Sequence, residues 1–295
     1  MNNPILISTA AYDGYDLSVS LKEISELEIK RVELAFIEGY TDPFTEAYFS
    51  STNAKVISAL LSKHGLTCLS FASHIDLSQD TAVDRFKGRM RFAKEIGATY
   101  IISNAGPEHR QNQFMKNIEQ LAQWAESFDI MIVLENPGDG KKNVIDHGQT
   151  APQIIKQIGS ERVRLNYDFG NLISHCFEKL RPEDDYKPAL PYTAHFHIKD
   201  VTSDASGWHF TEIGRGDIDY ETILKELALE PNPHPLCLEI PLRVSRARDA
   251  SPRRATSPVA LQEIRRVMSG SLRFVQKGLS SATVEMDRIN MEKNA

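Results

Sequence analysis

IMIVLEN (130–136), VRLNYDF (163–169), AHFHIK (194–199) and PLCLEIP (235–241) are short apolar runs that each carry an acid or an imidazole near the C-terminal end. Four more runs precede them: Ile5–Ala10, Arg31–Phe36, Thr67–Ala72 and Tyr100–Asn104. Eight is the number of strands that closes a parallel barrel. Segments of helical period lie between the runs. Leu17, Leu21, Ile24 and Leu27 recur at helical spacing, as do Phe86, Met90, Ala93 and Ile96, with Gly97 placed to end that helix. Ile118, Leu121, Ala122 and Ala125 mark a further helix. Ser257-Pro258 reads as the N-cap and first residue of a last one, which would bury Ile264, Met268, Leu272 and Val275. Strand and helix alternating throughout predict an α/β fold: one (β/α)8 TIM barrel over residues 1–279, followed by a polar C-terminal tail over 280–295 that frays. An open doubly wound sheet is disfavoured, because no glycine-rich phosphate loop follows the first run. Leu242–Ser257, rich in Arg, Ser and Pro, reads as a loop.

Composition agrees with one large core. The chain has 295 residues, 41% of them hydrophobic, and a net charge of −6. That charge argues against nucleic-acid binding. Cys68, Cys176 and Cys237 are few and unpatterned, as in a reducing compartment. The opening MNNPILISTAAYDG lacks a charged region and a long apolar run, and no stretch is long enough to span a bilayer. A cytoplasmic protein with no membrane partner is expected.

In such barrels the active site lies where strands end and loops begin. The polar residues at the ends of the runs are Glu33, His74, Asn104, Glu135, Asp168, His197 and Glu239. The strand period of two sharpens this, since it puts Met131, Val133 and Glu135 on one face, Asn166 with Asp168, His195 with His197 and Lys199, and Cys237 with Glu239. If these faces point inward, three carboxylates and an imidazole converge from four consecutive strands. Without compensation they would repel one another and protonate. One divalent metal ion held by Glu135, Asp168, His197 and Glu239 removes that cost. The oxygen-rich set suits Mn²⁺ first, then Mg²⁺ or Co²⁺, with Zn²⁺ possible.

LENPGD (134–139), NYDFGN (166–171), HFHIKD (195–200), EIGRGDIDYETILKEL (212–227) and CLEIP (237–241) resemble the xylose-isomerase-like TIM-barrel superfamily of sugar isomerases and epimerases, which is related to ketose 3-epimerases and inosose dehydratases. The resemblance runs from the first strand to the eighth. It implies that Glu135 and Glu239 are the catalytic acid/base pair and that Asp168 and His197 are fixed ligands, with His197 chosen over His195 because it lies nearer the strand end. It further implies a small-molecule sugar or sugar-derived substrate and a homo-oligomer, dimer or tetramer. The implied chemistry is metal-dependent isomerisation or epimerisation of a keto-sugar through a metal-stabilised enediolate.

Lys199, His74, Glu33, Asn104, Asn171 and Arg215 are candidate substrate contacts. Lys199 shares the inward face with His197, and an ion pair with a neighbouring acid is its alternative. His74 follows the small residues Ser70 and Ala72 on one face. Arg215 lies between two glycines, where the resemblance puts a substrate-facing arginine. Asn171 stands where many relatives have a histidine. Trp208 and His209 read as an exposed loop pair, and Gly138–Lys142 only weakly resembles a phosphate grip. Arg243, Arg246, Arg248, Arg253 and Arg254 form a basic cluster that reads as a mobile, solvated loop, with an anionic sugar as the alternative partner.

A lyase on the same barrel, removing water or CO₂ from a keto-inositol, a dehydroshikimate-like compound or an oxo-sugar acid, is the alternative activity. All of these pass through an enolate. A nuclease resembling endonuclease IV is disfavoured by the net charge, by Asn171 and by Gly207, where an aspartate would be required. A non-enzymatic binding barrel would keep the ligands without turnover.

Overall fold

A computed structural model describes residues 3–293, with side chains through residue 281. In chain order its elements are β1 (Ile5–Ser8), α1 (Leu17–Ser25), β2 (Arg31–Ala35), α2 (Ser51–Lys63), β3 (Thr67–Asp76), α3 (Ala82–Glu95), β4 (Tyr100–Asn104), α4 (Gln111–Phe128), β5 (Met131–Glu135), α5 (Ala151–Ile158) and β6 (Val163–Asp168). Then follow α6 (Phe169–His175), α7 (Pro182–Asp185), β7 (Thr193–Ile198), β8 (Asp200–Asp204), β9 (Gly207–Thr211), α8 (Tyr220–Leu229), β10 (Leu236–Leu238), β11 (Val244–Ala247), β12 (Pro252–Arg254) and α9 (Leu261–Lys293). Strands β1, β10, β7, β6, β5, β4, β3 and β2 close a barrel in that order, and all the pairings are parallel. The eight runs of the sequence are its eight staves.

The period of two sorts the strand residues. Ile132 and Leu134 of β5 belong to the large shell between barrel and helices. Val133 packs inside the barrel with Ala72 and Ile102 in a separate small cluster. Glu135, two residues beyond Val133, therefore faces inward at the mouth. The helices offer their apolar stripes to the outer face; α4 buries Phe114, Ile118, Leu121 and Ala125. Asp129 and Gly159, both left-handed, end α4 and α5.

Two sequence expectations need correction here. Leu242–Ser257 is not a loop. It forms β11 and β12, which join β8 and β9 in a four-stranded antiparallel sheet of order β12-β11-β9-β8. Its arginines have partners that composition does not reveal. Arg243 and Arg254 converge on Asp13 in the first βα connection, at 3.2 and 2.7 Å, and Arg254 also reaches Asp42. The edge strand β12 begins with Pro252, which has no N–H to offer the sheet. In β9, Gly207 pairs with Ala247 at φ +143°, and a Cβ there would strike the Arg246 carbonyl.

The last helix begins at Leu261 rather than at Pro258. Glu263 N and Ile264 N both donate to Ala260 O. Residues 256–259 are held outside the helix because Thr256 O accepts from Arg243 and Val259 O accepts from the Tyr15 hydroxyl. The backbone of α9 passes Ser280 and stays helical to Lys293, and the side chains of the expected polar tail beyond residue 281 lie outside those described. No helix among the described residues is long and apolar enough to cross a membrane.

Candidate active site

A cavity of about 470 Å³ opens at the C-terminal end of the barrel. Glu135 and Glu239 reach it from β5 and from the residue after β10, and His74, Asn104, Asn171 and Lys199 share its lining. On its floor Glu135, Asp168, His197 and Glu239, all buried, bring one ligand atom each to within 4.8 Å of one another. Register explains the meeting: Asp168 pairs with His197 across β6 and β7, and His197 pairs with Cys237, two residues before Glu239.

His197 is the hub. Its Nδ1 lies 2.5 Å from Glu135 Oε1, 3.3 Å from Glu239 Oε2 and 3.8 Å from Asp168 Oδ2, while Nε2 lies 3.0 Å from Glu33 Oε2. The Glu33 contact holds the proton on Nε2, so Nδ1, facing the three acids, is the nitrogen that could ligate a cation once its own proton is displaced. Glu33 in turn accepts from Ser70 Oγ at 2.8 Å. Beside it, His195 Nδ1 donates to Asn166 Oδ1 at 2.8 Å, and Asn166 Nδ2 donates to Glu135 Oε1 at 2.9 Å. Each ring or carboxylate of the mouth is thus oriented by a buried polar partner behind it.

Lys199 supplies the counter-charge. Its Nζ stands 2.6 Å from Asp168 Oδ2 and 2.5 Å from Glu239 Oε2. Asp168 Oδ2 is buried and, apart from this ammonium, has no hydrogen-bond partner. Burial alone would lower the Lys199 ammonium, but Asp168 and Glu239 more than offset this and hold it high. Burial works against ionisation of Glu135 and Glu239 too. His74 and His197 nonetheless hold Glu135 below its usual range, and His197 and Lys199 hold Glu239 well below it. Asp168 goes the other way: burial first, then the charges of Glu135 and Glu239, push it up to about 7 against the pull of Lys199. Burial would also depress His197, but Glu239, Glu33 and Glu135 outweigh it and hold the ring well above an ordinary imidazole. Two carboxylates stay ionised and the third is reluctant.

The donor set fits a divalent cation. It offers three oxygens and one nitrogen, all buried, and an ammonium already marks two of the oxygens as cation-seeking. A second group, Glu33, His197 and Cys237, shares the histidine. Burial drives the Cys237 thiol well up, so it stays protonated and is a poor ligand.

The cavity brings together four of the six residues read as substrate contacts. His74 Nδ1 pairs with Asn104 Oδ1 at 2.9 Å, which leaves Nε2 buried and without a partner. Asn171 donates through its backbone N–H to Asp168 Oδ1 and through Nδ2 to Asn136 O. Glu33 and Arg215 do not reach the cavity. Glu33 is 0% exposed beneath His197, because it sits mid-strand in β2 rather than at its end. Arg215 is 69% exposed and pairs with Glu212 at 3.2 Å, turned away by the loop that closes on Asp200. Asp200 accepts from the backbone N–H groups of Gly214, Gly216, Val201 and Ile218, a structuring role. Trp208 is not exposed; it is buried in β9 and donates to Glu178 at 2.7 Å. His209 keeps an exposed side chain beside Asp204. Of the basic cluster, Arg246 is buried and lines the cavity, which the reading as a solvated loop missed.

A family model described as xylose isomerase-like TIM barrel matches residues 21–265. The chain belongs to that family. No curated protein matches it by sequence. Among solved structures it is similar to an L-ribulose 3-epimerase (14% identity, 98% of each chain covered, TM-score 0.72). It is also similar to a D-psicose 3-epimerase crystallised with D-fructose (12% identity, 94% of this chain and 99% of that one, TM-score 0.73). A third is the probable 3-DHS dehydratase AsbF of petrobactin synthesis from Bacillus anthracis (14% identity, 91% and 97%, TM-score 0.65). At these identities the likeness establishes the shared barrel.

Proposed function

We propose that this family member is a divalent-cation-dependent isomerase or epimerase of a keto-sugar or sugar derivative, with Glu135 and Glu239 exchanging the proton. The observation that carries the reading is that these two carboxylates meet beside His197 Nδ1 at the cavity floor, within 4.8 Å of each other and of the Asp168 and His197 ligand atoms, each fixed by a partner of its own. Glu135 is fixed by Asn166 and Glu239 by Lys199. A proton on carbon beside a carbonyl is too weakly acidic for an unaided carboxylate. A cation held by Glu135, Asp168, His197 and Glu239, for which Mn²⁺ is our first choice, supplies Lewis-acid stabilisation of the negative charge that develops on oxygen. One glutamate removes the proton and the other returns one. His74 Nε2, buried without a hydrogen-bond partner while Nδ1 is held by Asn104, is placed to hydrogen-bond a substrate hydroxyl. Lys199 keeps Glu239 ionised. Two ketose 3-epimerases and a probable dehydratase share this barrel, which is compatible with proton abstraction beside a carbonyl. We infer a small-molecule substrate, a cytoplasmic setting and a homo-oligomer, in line with the sequence reading.

The test is incubation of Mn²⁺-loaded protein in D₂O with ketoses, keto-acids and inososes. Deuterium uptake at a carbon beside the carbonyl is expected for the true substrate, and Glu135→Gln or Glu239→Gln should reduce turnover by a factor of about 10² or more. Near-normal turnover in either variant refutes the assigned roles. Irreversible loss of water or CO₂ would instead identify a lyase.

A further inference from the structure

Arg246 is a buried cation without an acid. Its residue is 6% exposed. Of its nitrogens, one Nη donates to Ala250 O at 3.1 Å. Nε is buried and has no hydrogen-bond partner. Among the described residues no carboxylate lies within ion-pair distance of this guanidinium, whereas the neighbouring Arg243 and Arg254 both hold Asp13. Asp139, which feels its charge, is engaged instead by His175, by the Lys141 N–H and by Asn143. A guanidinium does not lose its proton at any ordinary pH, so it cannot escape burial by neutralising itself. A buried charge of this kind calls for an opposite one.

The place it occupies is the cavity wall. The guanidinium rests over the Tyr40 ring, 5.6 Å from its centroid, and both residues line the cavity. It lies flat on Gly138: a Cβ there would come within 2.9 Å of its Cζ and Nε, and within 2.8 Å of Asn171 Oδ1. Arg246 and Asn171 therefore stand side by side over the same glycine. Asn171 is one hydrogen bond from Asp168. The β11 strand fixes this position, since Arg246 pairs with Trp208 on one side and Pro252 on the other.

We propose that the substrate carries an anionic oxygen group, a carboxylate or a phosphate, that docks on Arg246 while its keto carbon lies over the acidic floor. This deepens the isomerase reading and rests on that reading for the location of the reacting carbon. It narrows the substrate class from keto-sugars at large to sugar acids, cyclic keto-acids or sugar phosphates. The forked face of a guanidinium matches such oxygens in pairs.

The experiment is equilibrium binding by calorimetry, which needs no turnover. The probes are a neutral ketose, the keto-aldonate of equal chain length and the matching ketose phosphate, each titrated into wild type, Arg246→Met and Arg246→Lys. In wild type at least one of the two anionic probes should bind about tenfold or more tightly than the neutral sugar, and which one does so identifies the group. Arg246→Met should erase the preference, and Arg246→Lys should retain part of it. Should Arg246→Met fail to fold, the lysine variant and the wild-type comparison still decide. Equal binding of acid and neutral sugar by wild type overturns the proposal, as does a preference that survives Arg246→Met. Arg246-dependent anion binding without deuterium exchange would sink the isomerase reading alone. Exchange on neutral ketoses with no Arg246 effect would sink this inference alone.

Discussion

If the four groups at the barrel mouth ligate a cation, its binding must expel protons. In the cation-free protein Asp168 is pushed up to about 7 by its burial and by Glu135 and Glu239. His197, despite burial, is held well above the ordinary imidazole by Glu239, Glu33 and Glu135. At pH 6 both therefore carry a proton that a ligating Asp168 Oδ2 or His197 Nδ1 cannot keep. Two protons carry the same charge as one divalent ion, so the exchange leaves the buried electrostatics of the floor balanced. Each displaced proton makes affinity fall by about tenfold per pH unit of acidification. Asp168, half deprotonated at pH 7, should make Mn²⁺ bind roughly fivefold more weakly at pH 6 than at pH 7, and the His197 proton steepens this by up to about tenfold more. Above pH 7 Asp168 gives up the rest of its proton and its share of the dependence fades. Calorimetric titration of the cation-free protein in two buffers of different ionisation enthalpy counts the protons directly. Between one and two released per Mn²⁺ at pH 6 is expected. Zero released, with equal affinity at pH 6 and pH 8, would show that these groups do not bind the ion.

Two further expectations concern the scaffold. Asp200→Ala removes the acceptor of three N–H donors at 2.9 Å, from Gly214, Gly216 and Val201. Part of that loop rehydrates, so we expect a loss of about 3 kcal/mol and a drop in Tm of roughly 5 °C by scanning calorimetry; a change under about 2 °C would contradict the role given to Asp200. At the other side of the barrel, partial burial works against ionisation of Glu46, but hydrogen bonds from Arg89 and Arg85 hold its carboxyl below the usual range. A depressed carboxylate contributes stability above its unfolded pKa and loses it as pH falls through the folded value. Urea unfolding should therefore show Glu46→Gln less stable than wild type at pH 7, with the difference shrinking below about pH 4.5; a gap that does not shrink at all on acidification would refute the ion-pair account.

Much of the floor was legible because strand periodicity is a local property. Glu135 and Asp168 are the last residues of β5 and β6, so reading polar residues at run ends found them directly. The same rule misplaced Glu33, because the apolar run continues through Leu34 and Ala35 and leaves the glutamate in mid-strand. It was silent about Asn166 and His195 as the relay that orients Glu135, a role that appears only when β6 and β7 are brought into register. The arginine-rich segment failed for a different reason. Composition counts charges, whereas order depends on partners, and Asp13 lies more than 200 residues away in the chain. Arg215 between its glycines carried no signal of direction at all.

The mouth of this barrel concentrates groups that stability alone would not place there. Glu33, Asp168, His195 and His197 are each 0% exposed, and Lys199 and Glu239 are nearly so. A well-packed apolar plug of similar volume would serve folding at least as well. The cost is carried by the surrounding shell: apolar helices outside, the Ala72–Ile102–Val133 cluster below, and the antiparallel sheet of β8, β9, β11 and β12 beside the opening. That sheet contributes Val244 and Arg246 to the cavity wall. Its arginines thus divide into two kinds. Arg243 and Arg254 spend their charge on Asp13 and fasten the sheet to the first βα connection, whereas Arg246, borne on the strand they fasten, keeps its charge unspent at the cavity. A strand built only to cover the barrel would gain from a leucine at that position, so its arginine argues that the wall was shaped for a ligand with negative charge.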